Sequence, residues 1–197
     1  MNDERGMDAG AGGDLELGEV LEQGWRAWAD AARAPGHPFR TPVVATAGDD
    51  GDARVVVLRA VDRALGELEF HTDGRSPKVA ALGRSGRVTW VFYDASEGVQ
   101  WRVRGRARLH AGDDVWREAW ARVPQGSRRS YGARWAPGTA VPGPLDAVDF
   151  RDNGPDHFVV VRCRAESLDW LRLRPEGNLR ARWERDGDGW RGCWVAP

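Results

Sequence analysis

VQWRVRGRARLH, residues Val99–His110, alternates without a break. Val99, Trp101, Val103, Gly105, Ala107 and Leu109 fall on one side; Gln100, Arg102, Arg104, Arg106, Arg108 and His110 fall on the other. Successive side chains of a strand point to opposite faces, so this stretch predicts one buried and one polar sheet face. The four arginines read first as a solvated face whose acidic partners come from neighbouring strands or a second subunit. The competing reading is an anion-facing surface. Gly105 marks a bulge or the close approach of another backbone.

Outward from there, β-rich runs recur. Thr41–Ala47, Arg54–Ala60, Leu68–His71 and Arg87–Tyr93 precede the central strand, with Gly48–Asp52 as a hairpin turn. Phe158–Arg164, Leu168–Leu173, Leu179–Arg185 and Trp190–Val195 follow it, the last two joined by a turn at Asp186–Gly189. Helical spacing occurs over Leu15–Arg33, where Leu17, Val20, Leu21, Trp25 and Trp28 share a face and Asp14 is the expected cap. A second helix is expected over Ser76–Leu82, ending at Gly83, and a third from Asp113 or Asp114 to Val123. About eight strands against three helices predict a mainly β fold, a barrel with peripheral helices. Residues 1–13 read as a disordered lead and 14–197 as one domain. The Pro- and Gly-rich stretch Ala136–Asp156 reads as a covering loop.

Composition narrows the function classes. The net charge of −1 argues against bulk attraction to nucleic acid, and eleven tryptophans supply apolar area for core or interface. No apolar run approaches a membrane span, and the two cysteines, Cys163 and Cys193, are expected as buried free thiols. A cytoplasmic protein is the expectation. His37, His71, His110 and His157 are too scattered for a zinc site; neither G-x-S-x-G nor a G-x-G-x-x-G fingerprint occurs.

One stretch carries chemistry: RVVVLRAVDRALGELEFHTDGRSPK, residues Arg54–Lys78. Ser76 is a candidate cap and Pro77 suits the first helical position. A helix starting there turns free N–H groups and a partial positive charge outward, a seat for an anion. Lys78, Arg54 and Arg59 add formal charge around it. The combination reads as a phosphate site where strand ends meet a helix start.

These runs resemble the pyridoxamine 5′-phosphate oxidase-like FMN-binding split-barrel family. Arg54-Val-Val-Val-Leu-Arg59, Phe70-His-Thr-Asp73, Ser76-Pro-Lys78 and Val99-Gln-Trp-Arg-Val-Arg-Gly105 match its motifs in order and spacing. The resemblance implies a Greek-key-type split β-barrel that works as a homodimer with FMN at the subunit interface. It implies Arg54, Ser76 and Lys78 on the cofactor phosphate, with His71 and Thr72 beside them. The backbone of Val55, Val56, Val57 and Leu58 would edge the flavin ring, and Arg59 would stand between flavin and a small-molecule substrate. Gln100, Trp170 and Arg182 correspond to further cofactor contacts, Gln100 reaching across from the partner subunit. Arg128 and Ser130 match the family's substrate-phosphate loop only loosely.

The departures matter as much. One cation of the family's serine-arginine-lysine run is missing at Pro77, with Arg75 as the nearest replacement, and His71 stands where tyrosine is usual. Asn178-Leu-Arg180 replaces the R-L-H substrate motif. The expectation is an FMN-dependent oxidoreductase acting on a small substrate other than the vitamin. The alternatives are a non-catalytic flavin-binding module and a nucleic-acid-binding β-barrel that uses the arginine face.

Overall fold

A computed structural model of the chain describes residues 15–47, 51–150 and 154–197. Its first element is the helix α1 (Leu17–Arg33), which buries Val20, Leu21, Gly24, Trp25, Trp28 and Ala31 along one stripe. Trp28 is fully buried, edge-on to Trp25 at 4.9 Å and to Trp101 at 5.1 Å. Gly24 has a packing reason to be glycine, because a Cβ there would lie 2.6 Å from the Trp101 ring. The helix therefore rests directly on the barrel's aromatic core. The expected cap Asp14 lies outside the described residues; the N-cap position is Glu16, whose side chain makes no capping bond.

Among the described residues nine strands form one sheet: β1 (Val43–Thr46), β2 (Asp52–Val55), β3 (Leu58–Asp62), β4 (Glu67–Asp73), β5 (Arg87–Asp94), β6 (Val99–His110), β7 (Phe158–Arg172), β8 (Leu179–Asp186) and β9 (Gly189–Trp194). The main path runs β2-β1-β5-β6-β7-β4-β3, with β8 on β7 and β9 on β8. All pairings are antiparallel. The two ends of that path, β2 and β3, are joined by Val56 and Val57 alone, so the sheet must curl to bring them together. The fold is a mainly β split barrel with peripheral helices. Its interior holds Val44, Leu58, Leu68, Phe70, Trp90, Phe92, Trp101, Val103 and Trp183, all almost completely buried.

The central strand lies where the alternation put it, Val99–His110, with Trp101, Val103 and Gly105 buried. Its register slips between Arg104 and Gly105, where Arg104 faces Ser167 and Gly105 faces Ala165, leaving Glu166 as the extra residue. A Cβ on Gly105 would collide with the Arg164 carbonyl, so the bulge and the close backbone approach occur together.

Four expectations need correction. Arg54–Ala60 is not one strand: β2 pairs only with β1 and β3 only with β4, and the chain crosses between sheet halves at Val56–Val57. Phe158–Arg164 and Leu168–Leu173 are one strand, β7, whose first half pairs with β4 and second half with β8. The helix α2 (Pro77–Ser85) runs past Gly83 and ends at Gly86, which has φ +63° and bonds back to Leu82. Of the thiols, Cys163 is buried as expected, but Cys193 is exposed. The Gly48–Asp52 turn lies partly outside the described residues. None of the described helices is long and apolar enough to cross a membrane.

Outside the barrel, α3 (Asp114–Arg122) is capped by Asp113, whose carboxylate accepts from Trp116 N. With α4 (Gln125–Arg128) and the 3-10 turn Arg129–Tyr131 it covers Phe158 and Val160, a second small apolar cluster with Ala119, Val123 and Tyr131.

Candidate functional site

β4 ends at Asp73, the chain bends through Gly74–Ser76, and α2 starts at Pro77. Thr72, Asp73 and Ser76 are buried polar residues packed into this corner. Ser76 sits at the N-cap, but its hydroxyl makes no capping bond. It lies 3.3 Å from Thr72 Oγ1, which also accepts from Lys78 Nζ at 3.2 Å. Of the first three helical residues, Pro77 has no N–H and Val79 N donates to the Ser76 carbonyl at 2.9 Å, which leaves the Lys78 amide at the helix start, with two hydroxyls next to an ammonium.

Lys78 is half-buried. Burial depresses its pKa below the ordinary lysine value, and the positive charge of Arg54 pushes the same way against Asp52 and Asp73. Among the described residues no carboxylate comes within salt-bridge distance of Lys78 Nζ. Arg54 reaches the same corner from β2, donating to Thr46 Oγ1 at 3.0 Å and to the Val44 carbonyl at 3.3 Å. It also pairs with Asp52, a carboxylate 68 % exposed. Two cations thus stand near enough for one charge to bear on the other, with a solvent-facing counter-charge on Asp52.

Arg75 is engaged elsewhere. Both oxygens of Asp73 hold it, at 3.1 and 2.7 Å, and its far nitrogens donate to the carbonyls of Ala133, Arg134 and Trp135. The hydrogen bonds from Asp73 raise its pKa. It fastens the segment after α4 to the bend and does not turn toward Lys78 as a replacement cation. The stretch Ala136–Asp156 folds back on that segment through an Arg134–Asp149 ion pair and an Ala133–Phe150 bridge; residues 151–153 lie outside the described residues.

The other sequence-derived positions separate into groups. Val55 is exposed, Val56 and Leu58 are buried, and Val57 and Arg59 lie between. Arg59 is close enough for its charge to bear on Tyr131 and on Arg40. Arg40 staples the end of α1 to β3, donating to the carbonyls of Ala31, Ala32 and Leu58. His71 pairs with Glu69 at 3.0 Å, and Glu69 also holds Arg162 at 2.9 Å. Glu69 is 3 % exposed; burial opposes its charge, but the bonds from His71 and Arg162 keep its pKa below the usual carboxylate value.

Gln100 and Trp170 lie on opposite faces of the sheet. Trp170 pairs with Trp101 and turns into the core, whereas Gln100 pairs with Leu171 on the outer face. Two residues along that outer face from Gln100, Arg102 meets Asp169, which Arg180 and Arg182 also bind, all at 2.7–2.9 Å. Arg182 was expected as a cofactor contact and Arg102 as part of an arginine face paired by acids from neighbouring strands; that both share one carboxylate with Arg180 follows only from register. Arg128 caps the end of α3, donating to the Trp120 and Val123 carbonyls, and Ser130 is exposed. Among the described residues no group of three or more His, Cys, Asp or Glu side chains could hold a metal.

The split barrel is the fold of solved pyridoxamine 5′-phosphate oxidase-related, FMN-binding proteins. Residues 23–111 match the model of the pyridoxamine 5′-phosphate oxidase FMN-binding domain. That span contains β1 to β6, α2 and both corner cations. A pyridoxamine 5′-phosphate oxidase-related, FMN-binding protein from Nostoc punctiforme superposes with a TM-score of 0.73 at 19 % identity, covering 94 % of this chain and all of that one. PhzG from Burkholderia lata, in complex with tetrahydrophenazine-1-carboxylic acid, gives 0.69 at 21 % identity over 93 % and 94 % of the two chains. A Clostridium acetobutylicum protein related to general stress protein 26 gives 0.52 at 14 % identity over 84 % and 95 %. Comparison with curated proteins found no match.

Proposed function

We propose that the chain binds FMN with its phosphate in the corner of Arg54, Thr72, Ser76 and Lys78, and works as an FMN-dependent oxidoreductase on a small substrate. One observation carries this reading: Lys78 and Arg54 stand together, partly desolvated, with less negative charge than two cations need. A phosphate dianion supplies it, and charge-assisted bonds of this kind are the strong ones. The donor set fits the group: two cations, two hydroxyls and the Lys78 amide at a helix start.

Bound there, the flavin would supply hydride transfer; the protein's part is to hold, orient and shield. Lys78 and Arg54 would fix the phosphate, with Asp52 swinging out to solvent. The backbone of Val55–Leu58, outside strand pairing at its middle, would edge the ring, and the Glu69-His71-Arg162 network would keep β4 rigid beneath it. Arg59, near Tyr131, would meet the substrate, with Ser130 nearby. Arg128 already caps a helix, which favours a substrate other than pyridoxamine 5′-phosphate. In a homodimer, Gln100 and Arg182 would complete the site from the outer face of the partner's sheet. A cytoplasmic setting accords with the unbridged cysteines.

The test is direct. Full-length protein is loaded with FMN, separated from excess and examined for flavin absorbance, then mixed anaerobically with NADPH or candidate amines. Bound flavin that bleaches faster than free FMN supports the enzyme. Bound flavin that never bleaches favours a carrier module, and failure to bind FMN at all removes the proposal.

A further inference from the structure

A basic hollow lies on the barrel's outer face, lined by none of the corner residues. It measures about 430 Å³ and is lined by Arg106, Arg108, Arg162, Arg164 and Arg185, with Glu67 and Glu166 on its wall. Strand register makes the arrangement unusual. Arg106 lies directly opposite Arg164, and Arg108 directly opposite Arg162, on adjacent antiparallel strands. Like charges facing each other across a ladder destabilise a sheet, and here two neighbouring outward rungs do so.

Internal acids relieve only part of that repulsion. Glu69 holds Arg162 from the adjacent strand β4, and Glu166 holds Arg106 at 3.2 Å in an exposed pair. Glu67 stands opposite Arg164 in register, yet no ion pair joins them within 4 Å. Arg108 and Arg164 have no carboxylate partner among the described residues. Arg185 lies over Trp190 and donates one terminal nitrogen to the Leu65 carbonyl, but its Nε is buried without a partner. Counting Glu69, five guanidiniums meet three carboxylates, and two positive charges remain.

We infer that this hollow binds a small multiply charged phosphate, a phosphate monoester or pyrophosphate, whose oxygens replace the missing counter-charge between β6 and β7. Guanidinium forks suit phosphate oxygens, and the deficit of two charges suits a dianion. Glu67 and Glu166 on the wall oppose an extended polyanion, so a small ligand fits better than a nucleic-acid strand.

Calorimetric titration of the flavin-treated full chain with pyrophosphate, at about 50 mM salt so that surface charge is not fully screened, tests this. Saturable one-to-one binding is expected. Arg108→Gln with Arg164→Gln should weaken it at least about tenfold, as loss of two charge-assisted contacts implies. Glu166→Gln, at an exposed position, should tighten it several-fold, a gain that misfolding cannot mimic. Arg54→Ala with Lys78→Ala should leave it within about twofold. Binding that is absent, that ignores the Arg108 and Arg164 changes, or that disappears only with Arg54 and Lys78 overturns the inference. So does preferential binding of a single-stranded oligonucleotide.

Discussion

Arg75 and Lys78 stand on the two sides of one bend, three residues apart, and their proton affinities move in opposite directions. On the strand side, Arg75 is bracketed by Asp73 and three loop carbonyls, and its pKa rises. On the helix side, Lys78 has one hydroxyl acceptor, and burial, aided by a neighbouring guanidinium, lowers its pKa. The first cation is satisfied by the fold and stabilises it. The second is a charge the fold does not satisfy, and such charges mark binding sites more often than stability. A cation's residue type says little about its role; the acceptors within reach say much more.

That contrast can be broken most sharply on the helix side. Arg54→Ala with Lys78→Ala should lower FMN affinity by about 100-fold or more, since each charge-assisted bond contributes roughly 1.5–3 kcal/mol. Far-ultraviolet circular dichroism should stay unchanged, and retained flavin fluorescence quenching would contradict the phosphate seat. On the strand side, Arg75→Ala should destabilise the protein by about 1–3 kcal/mol and speed amide exchange at 133–135, yet change FMN affinity only a few-fold. If the flavin is lost with Arg75 instead, the two roles have been assigned the wrong way round.

A pH titration sharpens the comparison further. Lys78 holds its proton less firmly than free lysine, so the charge disappears as pH rises through a value below 10.5. FMN affinity should fall over that alkaline range while riboflavin affinity, lacking the phosphate, stays flat. The smallest effect is the most diagnostic in sign. Lys78→Met should raise the melting stability of flavin-free protein by up to about 1 kcal/mol, because it removes a partly desolvated charge facing another. Arg75→Ala must move the same measurement the other way.

The sequence announced what local chemistry controls. Strict alternation located β6 to the residue, and Ser76-Pro77 located the start of α2, because neither depends on distant partners. Where a distant contact decides, the reading stopped short. Glu166 and its polar neighbours look like a break between strands, but they are a bulge inside β7 that Gly105 on the facing strand accommodates. Gly83 looks like a helix end, but it is Gly86 that takes the left-handed turn. Val56–Val57 is apolar enough to extend a strand, yet the chain changes sheet halves there. Arg75 gave no hint of its anchoring role because the three carbonyls it fastens lie 58 to 60 positions away. Gln100 and Trp170 could be paired by resemblance, but their opposite facing follows only from register.

The fifteen-residue strand β7 has a consequence for the order of events during synthesis. It borders β4, β6 and β8, and nothing else among the described strands closes the gap between β4 and β6. A nascent chain that has emerged only as far as His110 carries both corner cations but exposes two long unpaired strand edges. The ribosome must deliver almost fifty further residues before Phe158 arrives to seal them. Until then the half-made barrel is open to adhesion with its neighbours on a polysome, a window that chaperones would be expected to guard.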